Sequence, residues 1–253
     1  MGILGEALRK QDIAGTVVHQ QKAAELCGDI RSLRYPPNSL PYSIPEEYAG
    51  LPRLKGRAEV KLSLATTRPR GFRLEDGQAG PKSAELTLVV DGFHAPLTAG
   101  NFVDLVNRKS YDGMGIEENQ ELFVLTGKGA NGKHSARKVP LEIFYKNDAQ
   151  PTWGITSDDD GRARETPALP FQAYGALGMM RENDDVDSAT SQWFLLKWQQ
   201  ALIAPGRNTM DGYYCCFGYV TSPEAQNIIR QLDVGDTIVK AEIVSGLENL
   251  SSS

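Results

Sequence analysis

Hydrophobic residues in the first 33 positions recur mostly at intervals of three and four. This spacing predicts one or two amphipathic helices over residues 3–33, within a helical N-terminal segment of residues 1–34. Gly15 and Gly28 are weak points in such helices. Two interpretations stay open: a helical hairpin that packs on the rest of the chain, or a docking element for another protein.

Proline dominates the next stretch, which we define as a linker over residues 35–56. Residues 35–54 contain five prolines. Because proline fixes φ and lacks a backbone N–H, this composition predicts an extended connector. Four apolar side chains are expected to hold the connector against a surface: Tyr42, Ile44, Tyr48 and Leu51.

Strict alternation of apolar and polar residues begins after the linker. The alternation from Ala58 to Leu64 predicts a half-buried strand, and that from Leu86 to Val90 predicts a second strand. A polar, glycine-rich loop at residues 67–82 lies between them. We expect the two strands to pair antiparallel across this loop.

Two helical patterns and several short strands follow. Thr98, after Pro96, is the predicted N-cap of the first helix, and Ser222 is the predicted N-cap of a second helix over residues 223–232. Further strands are predicted at residues 121–126, 139–144, 176–180, 192–196, 213–220 and 237–244. Many short strands with two helices predict a mainly β fold, a closed antiparallel barrel capped by two helices.

Composition narrows the possible partners. The chain has a net charge of −5 and is 40% hydrophobic and 23% charged, which is ordinary for a soluble globular protein. A basic patch that would neutralise phosphates is absent from the sequence, so no nucleic-acid partner is expected. No apolar run reaches the roughly 20 residues that a membrane span needs, so no direct membrane span is expected.

Cysteine and glycine patterns predict neither a metal nor a cofactor. Cys215 and Cys216 are adjacent in a predicted strand, so their side chains should point to opposite faces without a disulfide. Together with Cys27 they are interpreted as small apolar residues. The acidic turn at residues 158–161 lacks the rest of a calcium loop, and the glycines at 127–132 lack the helix of a dinucleotide site.

Several strings, taken in their order along the chain, resemble the cyclophilins, a family of peptidyl-prolyl isomerases. They are APLTAGNFVDLV at 95–106, Tyr111-Asp112-Gly113, Ser191-Gln192-Trp193-Phe194, Asp211-Gly212 followed by Phe217-Gly218-Tyr219-Val220, and Val234-Gly235-Asp236 followed by Ile243. Each string alone is weak evidence for the family, whereas the set in this order is specific to it. The resemblance implies a cyclophilin-like domain over residues 57–250.

A narrower resemblance concerns the linker. The run SIPEEYAGLPRLKGRAEV at 43–60 resembles the linker of the large thylakoid-lumen cyclophilins of plants and algae. That subfamily is implicated in assembling and maintaining photosystem II. The resemblance therefore implies a location in the chloroplast thylakoid lumen, no cofactor, and a protein partner such as the lumenal face of a photosynthetic membrane complex.

The resemblance also implies where proline isomerisation would occur. Rotation of an X–Pro bond has a barrier of about 20 kcal/mol, and cyclophilins lower it with an arginine in a Phe–His–Arg string. Counted from Tyr111, these three positions fall on Ile116, Glu117 and Glu118. We therefore expect the carboxylate of Glu118 where the family has a cation, and no intact catalytic residue.

The other pocket positions implied by the resemblance are partly changed. The family's glutamine falls on Thr126, its tryptophan on Thr209 and its histidine on Tyr214. Phe123 and Phe194 are either an apolar pocket floor or simply barrel core. The expected vestigial proline pocket comprises Phe123, Val124, Thr126, Gln192, Phe194, Met210 and Tyr214.

Charged residues near this pocket leave further alternatives. The acidic loop at residues 182–188 is either a solvated loop or a rim for a basic partner. Arg181, Lys128 or Lys133 is a candidate to swing into the missing arginine's place, although a flexible side chain lacks preorganisation. Two functions follow: a non-catalytic protein-binding module, or an active isomerase with a rearranged donor.

Overall fold

A computed structural model describes residues 39–128, 137–197, 208–222 and 224–251. The helices predicted over residues 3–33 lie outside these ranges. Within them, no helix has the length and apolar character needed to cross a membrane.

The described chain is built around a closed barrel of eight antiparallel strands. Four further strands form two separate pairs. The bounds of all the described strands are β1 (Arg53–Leu54), β2 (Arg57–Ala65), β3 (Ser83–Asp91), β4 (Met114–Asn119), β5 (Phe123–Thr126), β6 (Glu142–Ile143), β7 (Thr152–Trp153), β8 (Ala176–Met179), β9 (Trp193–Leu196), β10 (Cys216–Val220), β11 (Thr237–Ser245) and β12 (Leu250–Ser251). The two separate pairs are β1 with β12 and β6 with β7. The helices are α1 (Pro96–Asn107) and α2 (Ala225–Gln231), with short 3-10 turns at Glu46–Tyr48 and Leu247–Asn249. The barrel order is β10-β3-β2-β11-β4-β5-β9-β8, and pairing of β8 with β10 closes it. The predicted closed barrel with two helices is confirmed.

The hairpin of β2 and β3 is the one that the alternation predicts. The two strands pair along their whole length, from Arg57 opposite Asp91 to Ala65 opposite Ser83. Burial alternates residue by residue along β2, because successive side chains of a strand point to opposite faces. The apolar residues of this hairpin therefore face the barrel interior.

Aromatic side chains fill the barrel beneath α1. Phe102 of α1 is fully buried, and its ring centroid lies 5.2 Å from Tyr111, 5.4 Å from Trp193 and 5.2 Å from Phe217. Burial of one such side chain is worth roughly 1.5–3 kcal/mol. Because the interior is filled, a binding site has to lie on the outside of the barrel.

The N-terminus of α1 is capped differently from the prediction. The helix begins at Pro96, so Thr98 is an intrahelical residue and not the N-cap. The carboxylate of Glu142, on β6, accepts hydrogen bonds from the backbone N–H groups of Leu97 at 3.3 Å and Thr98 at 3.0 Å. The indole N–H of Trp153 also donates to it at 2.8 Å. A distant buried carboxylate thus satisfies helix N–H groups that lack an intrahelical partner.

The start of α2 also differs from the prediction. The helix begins at Ala225, its N-cap residue is Glu224, and no side chain caps it. The Ser222 hydroxyl instead accepts a hydrogen bond from the backbone N–H of Thr87, in β3, at 2.6 Å. The tertiary contact with β3 has therefore taken the hydroxyl that we expected to cap the helix.

The end of the proline-rich linker is part of the folded domain. The Tyr42 hydroxyl donates to the carbonyl of Phe93 at 2.8 Å, and its ring centroid lies 5.9 Å from that of Phe144. Leu51 packs against the core, and Leu54 of β1 is fully buried where β1 pairs with β12. The connector is therefore held to the barrel surface at Tyr42 and Leu51, as predicted.

The buried cap makes stability depend on pH. Burial raises the pKa of the Glu142 carboxyl from 4.5 to about 7. Between these values the folded protein keeps a proton that the unfolded chain has lost, so the stability linked to Glu142 is complete below pH 4.5 and falls as the pH rises to about 7. The fall is on the order of 3 kcal/mol. We expect this fall in stability to be absent from the Glu142→Gln variant. The measurement is the free energy of unfolding by denaturant at each pH.

Glu85→Gln is the matched control, because the Glu85 side chain is 62% exposed on the barrel surface. It should leave the pH dependence as in the wild type. If the free energy of unfolding changed with pH in the same way in the wild type and in Glu142→Gln, the assignment of this pH dependence to Glu142 would be wrong.

Candidate functional site

A second group of apolar side chains lies on the outer face of β5, β8 and β9. In β9, Trp193 and Leu195 belong to the barrel interior, whereas Phe194 and Leu196 belong to this second group. Strand alternation explains the division. We call this group the outer cluster. Its buried members are Leu125, Phe171, Ala176, Phe194, Leu196 and Met210, and its partly buried members are Phe123, Met180, Tyr214 and Cys216.

Four of the expected pocket residues meet in the outer cluster: Phe123, Phe194, Met210 and Tyr214. The ring centroid of Phe194 lies 5.3 Å from that of Phe123 and 5.6 Å from that of Tyr214, which meets it edge-on at 89°. Phe123 and Phe194 therefore pack in the outer cluster and not in the barrel interior. That they form the floor of a proline pocket stays a prediction.

Val124 and Thr126 face elsewhere. Val124 is fully buried in the barrel interior, whereas Leu125 lies in the outer cluster, opposite Phe194 in the ladder of β5 and β9. Thr126 is 1% exposed, and its hydroxyl donates to the carbonyl of Gly115 at 2.9 Å. The expectation for Val124 is therefore corrected to Leu125, which the alternation with Phe123 would have identified.

A glutamate of β4 lies beside Gln192, but it is Glu117 and not Glu118. The side-chain amide of Gln192 donates to the carboxylate of Glu117 at 2.5 Å, and the backbone N–H of Lys128 donates to the other oxygen. Glu118 is exposed and accepts a hydrogen bond from Gln120. The pairing of β4 with β5 shifts register between Ile116 and Glu118. Because of this irregularity, the residue that faces Gln192 lies one position before the one that the count from Tyr111 indicated.

Phe171 packs against Phe194 within the outer cluster. Its ring stacks on that of Phe194, with a centroid distance of 5.6 Å and an interplanar angle of 25°. Phe171 is only 2% exposed and Phe194 is 0% exposed. The sequence pattern did not identify Phe171, because it lies in an irregular segment between β7 and β8 without apolar periodicity. In this structure Phe194 is therefore enclosed by other side chains of the outer cluster.

The candidate replacement cations have other contacts. The Arg181 guanidinium donates to the backbone carbonyls of Tyr213 and Glu182, each at 2.7 Å, and lies 5.5 Å from the ring centroid of Tyr214. Lys128 reaches Glu117 through its backbone N–H. Lys133 lies outside the described residues. Arg181 is thus at the margin of the outer cluster, held by main-chain oxygens.

The remaining expected positions lie at the surface. Thr209, at the family's tryptophan position, is exposed. In the acidic loop, Val186 packs against the core while Glu182 and Asp184 are exposed, and Lys138 pairs with Asp185 at 3.0 Å. The loop is therefore anchored through Val186 and Asp185, while the carboxylates of Glu182 and Asp184 face solvent.

Thiol and metal chemistry has little support in the described part of the chain. Cys215 and Cys216 are free cysteines, and burial raises the pKa of both thiols, which disfavours the reactive thiolate. Cys215 lies in the barrel interior and Cys216 in the outer cluster, so the two side chains face opposite ways as predicted. Among the described side chains, no group of three or more His, Cys, Asp or Glu is arranged to hold a metal ion.

Comparison with known proteins identifies relatives of this chain. A protein of Synechocystis sp. named as a thylakoid lumen peptidyl-prolyl cis-trans isomerase is 37% identical over 256 residues, which cover 98% of this chain and 62% of that protein. The chloroplastic peptidyl-prolyl cis-trans isomerase CYP38 of Arabidopsis thaliana is 38% identical over 223 residues, which cover 85% of this chain and 48% of that protein. The chain spans about half the length of the curated relatives it matches, up to 62% for the cyanobacterial protein.

The fold comparison agrees with these relatives. A crystal structure of a cyclophilin-type isomerase from Cryptosporidium parvum superimposes with a TM-score of 0.50 at 14% identity, covering 75% of this chain and 98% of that one. The family model described as cyclophilin type peptidyl-prolyl cis-trans isomerase/CLD matches residues 78–246. The chain therefore belongs to the cyclophilin-type peptidyl-prolyl cis-trans isomerase family, and its curated relatives are thylakoid lumen and chloroplastic members of that family.

Proposed function

We propose that this chain is a non-catalytic cyclophilin module that binds protein in the thylakoid lumen, where it assembles or stabilises a photosynthetic complex or remains bound as a subunit. The observation that carries the proposal is the carboxylate of Glu117 beside Gln192, on the strand where the family has its arginine. The sign of this charge is opposite to the one that proline isomerisation requires.

The physical reason lies in the twisted amide. Cyclophilins weaken amide resonance with a cation placed near the proline nitrogen, an electrostatic effect of a preorganised donor. An ionised carboxylate has no proton to donate. Glu117 is also engaged by two N–H donors, from the side chain of Gln192 and the backbone of Lys128. The place that we assign to the missing arginine is therefore negative.

The burial of the floor supports the same proposal. Proline binding in this family requires access to an apolar surface, and Phe194 is 0% exposed, with Phe171 stacked on it. A substrate proline therefore does not reach this ring unless the outer cluster rearranges.

Location and partner rest on the relatives. The relatives' names place them in the thylakoid lumen or chloroplast, and one of them aligns with 98% of this chain, including its N-terminal third. The net charge of −5 suits a basic or mixed protein surface better than a nucleic acid. A protein partner on the lumenal face of a photosynthetic complex is consistent with both facts.

An active isomerase is the second candidate, and one observation favours it. The guanidinium of Arg181 lies 5.5 Å from the ring of Tyr214, at the margin of the outer cluster. Its N–H groups are already engaged by the carbonyls of Tyr213 and Glu182. Catalysis by Arg181 would require these bonds to break and a new orientation to be fixed.

Turnover in a protease-coupled proline-peptide assay separates the two candidates. Loss of one preorganised donor costs about 10²–10³ in rate, so we expect the full chain to be at least about 10²-fold slower than an ordinary cyclophilin. Turnover equal to that of an ordinary cyclophilin would end the non-catalytic proposal.

A pair of charge reversals tests the sign of the site. Glu117→Arg and Glu118→Arg change the net charge equally, but only Glu117 contacts Gln192. Phe171→Ala is added to both to loosen the packing around Phe194. We expect Glu117→Arg to turn over at least about tenfold faster than Glu118→Arg. Equal rates would mean that the carboxylate of Glu117 does not disable the site.

Copurification tests the binding role. We expect the tagged full chain to retain a specific complex from thylakoid membranes after a moderate salt wash, because an interface of standard size survives the screening that removes loose ionic contacts. Recovery of the chain alone from lumenal extract and washed membranes would contradict a stable-subunit role.

A further inference from the structure

The carboxyl group of Glu142 joins two separate parts of the domain. It accepts hydrogen bonds from the backbone N–H groups of Leu97 and Thr98 at the start of α1, and from the indole N–H of Trp153 in β7. Glu142 itself lies in β6, directly opposite Trp153 in the ladder of the two strands. One buried carboxyl group therefore connects the N-terminus of α1 to the β6–β7 pair.

The three donors to Glu142 differ in their freedom to move. Leu97 and Thr98 are both 0% exposed and belong to a helix of 12 residues. Trp153 is only partly buried, and its strand pairs with β6 over two residues, outside the barrel. Short elements with few buried contacts open at a lower free-energy cost than the core does. Water therefore reaches Glu142 most readily by displacement of Trp153.

The titratable groups around Glu142 do not neutralise its charge. The Cys215 thiol approaches from the barrel side, and its pKa is raised by burial and by Glu142, so this thiol stays neutral. His94 and Asp211 line the same crevice as Glu142, and His94 is paired with Asp91 at 3.1 Å. Burial is the largest effect on Glu142 and raises its pKa from 4.5 to about 7, with no cation among the described residues to oppose it.

The linker rests on the same β6–β7 pair through Tyr42. The ring centroid of Tyr42 lies 6.4 Å from that of Trp153 and 5.9 Å from that of Phe144, which directly follows β6. The Tyr42 hydroxyl donates to the carbonyl of Phe93, which precedes α1. Movement of the β6–β7 pair would therefore remove both ring contacts of Tyr42 and leave only its hydroxyl bond.

We propose that Glu142, Trp153 and Tyr42 form a pH-sensitive latch that holds the linker on the barrel. With a proton on Glu142, the β6–β7 pair stays closed and Tyr42 stays seated on it. Loss of this proton places a charge in a buried site, and displacement of Trp153 hydrates that charge and releases Tyr42. The latch is independent of the proposed function, because it uses neither the outer cluster nor Glu117.

The sign of the pH dependence follows from the two states of the latch. In the open state Glu142 is hydrated and titrates near the ordinary pKa of 4.5, whereas in the closed state its pKa is about 7. Closure is therefore complete below pH 4.5, weakens as the pH rises to about 7 and changes little above that value.

Two measurements on the full chain test the latch. Hydrogen exchange of the Trp153 indole N–H reports opening of the β6–β7 pair, and chymotrypsin cleavage after Tyr42 reports release of the linker. Exchange is divided by the rate of free indole at the same pH, and cleavage by that of the peptide SLPYSIPEE, which copies residues 39–47. We expect both ratios to rise at least about tenfold between about pH 5 and pH 7.

Three variants assign the rise to its cause. Glu142→Gln has no titratable carboxyl group, so both ratios should change less than about twofold, whereas the control Glu85→Gln should behave like the wild type. Tyr42→Phe lacks the hydroxyl bond to Phe93 but keeps the ring on Trp153, and chymotrypsin also cleaves after phenylalanine. Its cleavage should be faster at both pH values and should still rise between them.

The wild-type measurements decide the proposal even if Glu142→Gln does not fold. Constant ratios between about pH 5 and pH 7 would refute the latch, and so would a rise in Trp153 exchange without a rise in cleavage after Tyr42. The amides of the β2–β3 hairpin are the internal reference. Loss of their protection by the same factor would mean that the whole domain unfolds. An equal rise in folded Glu142→Gln, or no rise in Tyr42→Phe, would also overturn the proposal.

Discussion

Closure of the barrel is the constraint on which the other features of this molecule depend. In a closed barrel alternate side chains of every strand point inward, and here the interior is filled by rings such as Phe102, Trp193 and Phe217. Recognition is thereby confined to outer faces. Because β5 and β9 also carry apolar residues at the outward positions, closure leaves an apolar surface outside the barrel that requires either a cover or a ligand.

The negative charge beside that surface affects the isomerisation of a proline differently from its binding. An apolar floor is sufficient to hold a proline ring, whereas lowering the rotational barrier needs a donor placed near the nitrogen. In the proposed function, Phe123 and Phe194 correspond to the first part, and Glu117 lies where the second is needed. The proposal is thus of a domain whose electrostatics oppose the family reaction.

Long-range polar contacts determine how the covering elements lie on the barrel. Glu142 caps α1 from 45 residues away in sequence, and Trp153 fixes the same carboxylate. Asp211 holds the backbone of Phe171 from 40 residues away. In each case a buried carboxylate accepts N–H groups that would otherwise be unsatisfied, which is why these contacts specify one arrangement of the loops.

The sequence by itself determined the β2–β3 hairpin, the family and the presence of an acidic residue on β4, because alternation and ordered local strings are properties of neighbouring residues. It did not determine which glutamate faces Gln192, because the register shift between Ile116 and Glu118 depends on pairing with β5. Nor did it indicate that Phe171 stacks on Phe194. Both contacts are between residues that are far apart in the chain, and only the tertiary structure brings these residues together. Local periodicity in the sequence therefore does not predict them.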